Sequence, residues 1–155
     1  MKKWMILAAL ALTGCAQINN YEAAVKTPPP AELQGYWQTT GPQSKLISDQ
    51  AMASLIIGAK GDTLDCRQWQ RVIAKPGKLT RFDDQWVNVT RLVRVMPLRL
   101  QNGELRYDGL RMRKVERPTV ECQQALQEVA ARPNEAVIQN IEPEILRPTQ
   151  SVAQQ

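Results

Sequence analysis

Leu98-Arg99-Leu100-Gln101-Asn102-Gly103-Glu104-Leu105-Arg106-Tyr107-Asp108-Gly109-Leu110-Arg111-Met112-Arg113 is the stretch that decides the fold of this chain. Leu98, Leu100, Leu105, Tyr107, Leu110 and Met112 alternate with Arg99, Arg106, Arg111 and Arg113. A period of two is that of strands with one face in a core and the other in water. Asn102-Gly103 and Asp108-Gly109 interrupt the alternation where two-residue turns would fall. Both central residues of a type I′ turn need positive φ, which Asn, Asp and Gly tolerate. The stretch therefore reads as three antiparallel strands joined by two hairpins, apolar on one face and basic on the other.

Outward from there, Gly61-Asp62, Pro76-Gly77 and Asp83-Asp84 separate further short runs rich in β-branched and aromatic residues. Strands are expected near 36–41, 54–60, 63–74, 78–82, 86–100 with a break at Pro97, 104–107 and 110–115. About seven such strands make a mainly β domain, a small antiparallel β-barrel or sandwich. In 63–74, Leu64, Cys66, Gln68, Gln70 and Val72 share one face while Trp69 and Ile73 share the other, so either both faces are covered or a bulge switches them. Ser48 and Asp49 suit the cap of a single helical turn leading into the strand at Leu55. One C-terminal helix is expected after Arg117-Pro118, with Thr119 as N-cap, Cys122, Ala125, Leu126 and Val129 on one stripe, and Pro133 as its end.

The other end of the chain carries an address. Lys2 and Lys3 precede an apolar run from Trp4 to Leu12 that is too short to span a bilayer, and Leu12-Thr13-Gly14-Cys15 follows as a lipobox. Residues 1–14 read as a lipoprotein signal peptide, and Cys15 as the mature N-terminus bearing a covalent N-acyl diacylglycerol. Ala16, which is not Asp, favours onward transfer to the outer membrane, where the chain would face the periplasm. Residues 15–34 include Pro28, Pro29 and Pro30 and few large apolar residues, and read as a stiff lipidated tether. Residues 35–132 form the β-rich domain with its helix. Residues 133–155, with Pro143, Pro148 and a Gln-rich end, read as a disordered tail in which Val137–Ile141 could form a transient helix or bind a partner.

Two of the 20 basic residues lie in the signal segment, which leaves 18 against 15 acidic ones. So mild an excess, in an envelope protein, points away from nucleic acid. With Cys15 acylated, Cys66 and Cys122 remain as a pair that reads as a disulfide in an oxidising compartment, joining the centre of the domain to its C-terminal helix. The chain contains no histidine, which removes the usual neutral-pH general base and the commonest metal ligand. No cluster has the spacing of a metal site and no Gly-rich phosphate loop is present, so neither metal nor further cofactor is expected. Asp62 and Asp65 are the nearest thing to a hydrolytic carboxylate pair, but a turn and a strand position explain them better.

The lipobox, Gly35-Tyr36-Trp37-Gln38-Thr39, Gly41-Pro42-Gln43, the run from Gly61 to Ala74, Pro76 to Thr80, Tyr107-Asp108-Gly109 and Arg117-Pro118-Thr119 with Cys122 resemble the YedD lipoprotein family over roughly residues 1–130. That resemblance implies a small outer-membrane lipoprotein with a β-rich domain and no established catalytic activity. The tail beyond Arg132 runs past the family pattern.

Two functional expectations follow. The first is a non-catalytic module that docks on and regulates a periplasmic cell-envelope enzyme, a peptidoglycan lytic transglycosylase or synthase, through the basic face of Arg99, Arg106, Arg111 and Arg113. The alternative is a lipocalin-like carrier of a lipid or small apolar ligand, with Trp37, Trp69 and Trp86 lining the pocket.

Overall fold

The structure, a computed structural model, describes Ile18, residues 20–132 and the backbone of Ile138–Gln139. Along the described chain run β1 (Gly35–Thr39), β2 (Met52–Ile57), β3 (Asp62–Gln68), β4 (Val72–Phe82), β5 (Gln85–Thr90), β6 (Val95–Gln101), β7 (Glu104–Tyr107), β8 (Leu110–Val115), α1 (Val120–Ala131) and β9 (Ile138–Gln139). Each of the first seven strands pairs antiparallel with the next, and β8 pairs with β1. The sheet thus closes as an eight-stranded up-and-down barrel rather than a sandwich. Closure leaves the hairpin meander without free edges along most of its length.

The turns are those the dipeptides dictate. Asn102 and Gly103 have φ of 52° and 76°, Asp108 and Gly109 50° and 73°, and Asp83 and Asp84 52° and 59°. Positive φ at both central residues matches the twist of the flanking strands. Pro76-Gly77 differs: it lies inside the 11-residue β4, and the β3–β4 bend falls at residues 69–71. Pro76 is tolerated because β4 meets β5 only from Gly77 onward. Gly77 is there for close approach, since a Cβ would lie 2.6 Å from both Asn88 Oδ1 and Thr63 Oγ1. The expected 86–100 strand is likewise two strands, β5 and β6, with the turn at 91–94. Pro97 sits within β6, where no β7 residue is paired opposite it.

Residues paired in register share a face. Trp37, Leu55, Leu79, Leu98, Leu105, Tyr107, Leu110 and Met112 accordingly meet inside the barrel. Outside, Ile56, Leu64, Cys66, Val72 and Ala74 lie under Cys122 and Ala125 of α1. Both faces of β3 are therefore covered, and no bulge is needed. Thr119 Oγ1 accepts from Cys122 N at 3.1 Å and caps the helix as expected. The Cys66–Cys122 disulfide, with Cα atoms 6.1 Å apart, bolts the helix to the barrel wall. Leu126 departs from the expected stripe and is exposed. Ser48 caps a turn through Gln50 N and Ala51 N, without a helix.

The 15–34 tether requires correction from residue 20 onward. Ala24 packs on Val87 and Val89, with Ile18, Tyr21 and Val95 around them. Thr27 N donates to Leu79 O at 2.8 Å, Lys78 Nζ donates to the carbonyls of Tyr21 and Ala24, and Leu33 is buried in the interior cluster. Residues 20–34 are thus a strap along the barrel, held by backbone groups that a count of apolar side chains does not register. In the region expected to be disordered, Ile138 and Gln139 pair antiparallel with Ala74 and Ile73, on the stretch of β4 that β5 leaves unpaired. The rest of 133–155 and the signal segment with Cys15 lie outside the described residues.

Candidate functional site

Alternating strand directions place the 40–51 loop and the 69–71, 91–94 and 108–109 turns at one end of the barrel, its mouth. The 40–51 loop lies over this end. Gln43 Nε2 donates to Arg111 O and Arg111 N donates to Gln43 Oε1, both at 2.8 Å, while Leu46 packs on the interior cluster.

Beneath the loop a polar chain crosses the interior. Thr63 Oγ1 donates to Asn88 Oδ1 at 2.5 Å, Asn88 Nδ2 donates to the Tyr107 hydroxyl at 3.0 Å, and that hydroxyl donates to Asp65 Oδ2 at 2.7 Å. Asp65 also receives Arg67 through Nε at 2.7 Å and a terminal nitrogen at 3.1 Å. Arg67 continues to Asp108 at 3.0 Å, which in turn holds Arg94 at 2.8 Å. Register explains the grouping, because Thr63, Asp65 and Arg67 face inward opposite Ile57, Leu55 and Ala53 of β2. Burial opposes the Arg67 charge, but the hydrogen bond and charge of Asp65 outweigh it and raise the guanidinium above its ordinary pKa. Tyr107 is raised too, first by burial and then by the Asp65 carboxylate. An ion pair with a buried carboxylate, both of whose oxygens are hydrogen-bonded, is costly to break by removing one partner. The polar chain ties β3, β5 and β7 together across the interior.

The space left is small. A cavity of about 110 Å³ lies among the charged side chains Asp65, Arg67, Lys75, Arg94 and Asp108, with Leu92 and Met96 also in its lining. Two larger grooves are open: about 750 Å³ outside the barrel between α1 and the strap, and about 490 Å³ at the mouth between the 40–51 loop and the 69–71 turn, with Arg67 and Trp69 in its lining. The three tryptophans do not form one pocket, contrary to expectation. Trp37 is buried in the interior with Nε1 donating to Leu33 O at 2.9 Å, Trp86 packs on the same cluster beside the Arg81 guanidinium, and Trp69 stands exposed on the β3–β4 turn. Among the described residues, then, the enclosed tryptophan-lined cavity of the carrier reading is not present. Asp62 is exposed and pairs with Lys26 at 2.8 Å, so it forms no catalytic couple with the buried Asp65.

The four arginines do come together. Arg99 is opposite Arg106 and Arg106 opposite Arg111, making a row across the outer face of β6, β7 and β8, and Arg113 stands beside it opposite Glu104. All four are exposed. Arg106 pairs with Glu104 at 3.1 Å. Like charges directly opposite one another in a sheet destabilise it, so folding alone gives no reason for the row.

This geometry defines a lipocalin-like barrel, eight strands up and down with a helix fixed to the wall and an interior filled by its own side chains. The chain belongs to the YedD family: residues 18–126 match the family model described as "Bacterial lipocalin LPS transport optimiser YedD". Relatives described as uncharacterized lipoprotein YedD include those of Salmonella typhimurium (strain LT2), 53% identical over 128 residues, covering 82% of this chain and 91% of the relative, and of Escherichia coli (strain K12), 53% identical over 127 residues, covering 81% and 93%. The crystal structure of a lipoprotein YedD from Klebsiella pneumoniae is similar at a TM-score of 0.70 and 48% identity, over 73% of this chain and 97% of that one. The relatives are described as lipoproteins, which agrees with membrane anchoring, and neither they nor the family model carries an enzyme's description. No helix among the described residues is long and apolar enough to cross a membrane.

Sequence reasoning missed the interior polar chain. Its signal was the alternation Thr63, Asp65, Arg67 against Leu64, Cys66, Gln68, two faces that are both buried in a closed barrel under a helix.

Proposed function

We propose that this chain is a non-catalytic outer-membrane lipoprotein, acylated at Cys15 and facing the periplasm, whose barrel is a docking module for the lipopolysaccharide-transport apparatus. The observation that carries the reading is the row Arg99–Arg106–Arg111: it is exposed and sets like charge opposite like charge in register, a repulsion that the Arg106–Glu104 pair meets at one position. An acidic protein surface would relieve its repulsion and gain steering from its charge. The filled interior favours a protein surface as the point of action over a ligand held inside. The family's description as a lipopolysaccharide transport optimiser supports an envelope partner in that process and moves the choice away from the cell-wall enzyme expected from the sequence.

A photo-crosslinking residue at position 113, beside the row, tests this in living cells. One dominant envelope partner is expected, lost when Arg99, Arg106 and Arg111 are changed to Glu at equal protein abundance, together with slower lipopolysaccharide delivery. Unchanged crosslinks and delivery in that variant would remove the docking role of the face.

A further inference from the structure

The β5–β6 turn is the least expected piece of surface on the barrel. Leu92 and Val93 at its tip are 69% and 38% exposed, side by side. Val93 has φ of 58° and its N–H closes the turn on Thr90 O at 2.9 Å. A β-branched residue in the left-handed region is strained where Gly or Asn would fit without cost. The turn therefore keeps apolar surface at a position where the backbone disfavours it.

Cations surround the tip. Arg91 precedes it, stacked 5.2 Å from the Tyr21 ring centroid and 4.0 Å from Glu22. Arg94 follows it, paired with Asp108. Behind Leu92, the mouth cavity holds Arg67, Lys75 and Arg94 against only Asp65 and Asp108. Exposed apolar residues flanked by arginine suit the boundary of a lipid bilayer, where the one enters the acyl edge and the other meets phosphate.

The strap brings this turn to the membrane. Ile18 packs against the Ala24, Val87 and Val89 cluster on the β5 wall, and Tyr21 touches Arg91. Cys15 is three residues before Ile18. At most about 3.6 Å per residue, that leaves roughly 10 Å between the anchor and the barrel. A tether so short holds the wall nearest Ile18 against the bilayer, and Tyr21, three residues further on, reaches Arg91 at the base of the turn.

We propose that the β5–β6 turn is a second membrane contact, with Leu92 and Val93 inserted in the interface of the phospholipid bilayer that holds the anchor and Arg91 and Arg94 at headgroup level. The inference rests on the anchor reading of Cys15. It gives the barrel one orientation, so that the arginine row is presented at a fixed angle.

The test uses the mature full-length chain in vesicles of phosphatidylethanolamine and phosphatidylglycerol, with an environment-sensitive fluorophore on Leu92→Cys or, as control, on Asn102→Cys. Near-UV circular dichroism of each establishes that the labelled chain is folded. The label at 92 is expected to shift to the blue and to be quenched by a bilayer-resident quencher about threefold or more above the label at 102. Equal quenching of an acylated chain at the two positions overturns the second contact alone. A mature chain whose intact mass lacks acyl groups overturns the anchor reading and this inference with it.

Discussion

Tyr107 joins the halves of the polar chain inside the barrel, donating to Asp65 and accepting from Asn88. Tyr107→Phe leaves a buried carboxylate short of one donor and is expected to lower stability by about 1–3 kcal/mol in urea denaturation. The same hydroxyl sets an alkaline limit. Its folded pKa lies above the ordinary 10.0, so the unfolded chain loses this proton first as pH rises. Stability from this group is full below pH 10 and falls above it by about 1.4 kcal/mol per pH unit until the folded group titrates. Denaturation midpoints measured from pH 9 to 11 should fall more steeply in the native chain than in Tyr107→Phe. Gly77→Ala is the steric counterpart. The new Cβ would meet Asn88 Oδ1 and Thr63 Oγ1 at 2.6 Å, and a loss of about 1–3 kcal/mol is expected by the same measurement.

Among the elements, α1 depends most on a single bond. Its buried residues are few, Glu121, Cys122 and Ala125 with Val129 at the edge, and Leu126 is exposed. The disulfide spans a sequence separation of 56, worth about 4 kcal/mol if the effect is loop entropy alone. Cys66→Ala with Cys122→Ala is expected to cost up to about that much and to raise amide exchange first in α1 and in the outer face of β3. Equal exchange in the oxidised chain and the double variant would show that packing alone holds the helix. The hairpins need no such bolt, because their turn residues and alternating faces already agree with the barrel.

Across the whole molecule, the wall is divided into three outer faces: one under α1, one under the strap and one bearing the arginine row. The third sets like charges opposite one another in register. Arg106→Thr removes two like-charge contacts and one exposed ion pair, so stability should stay level or rise by about 0.5 kcal/mol while crosslinking to the partner weakens. A clear loss of stability would make the row structural.

Much of the barrel was legible in the chain. The 98–113 alternation, the Asn-Gly and Asp-Gly turns, the Thr119 cap and the arginine face are local properties, set by side-chain period and by which residues accept positive φ. The cysteine pair was legible by count. What lay beyond the sequence was non-local. Pro76-Gly77 reads as a turn until Thr63 and Asn88 close around the glycine; a proline-rich tether reads as free until its backbone bonds to Leu79 and Lys78; and the tryptophans read as one pocket until the barrel sends Trp37 inward and Trp69 out. Closure of the sheet, the filling of its interior and the path of hydrogen bonds from buried Thr63 out to Arg94 were decided only by tertiary structure, because each depends on residues far apart in sequence meeting across a ring that no local pattern encodes.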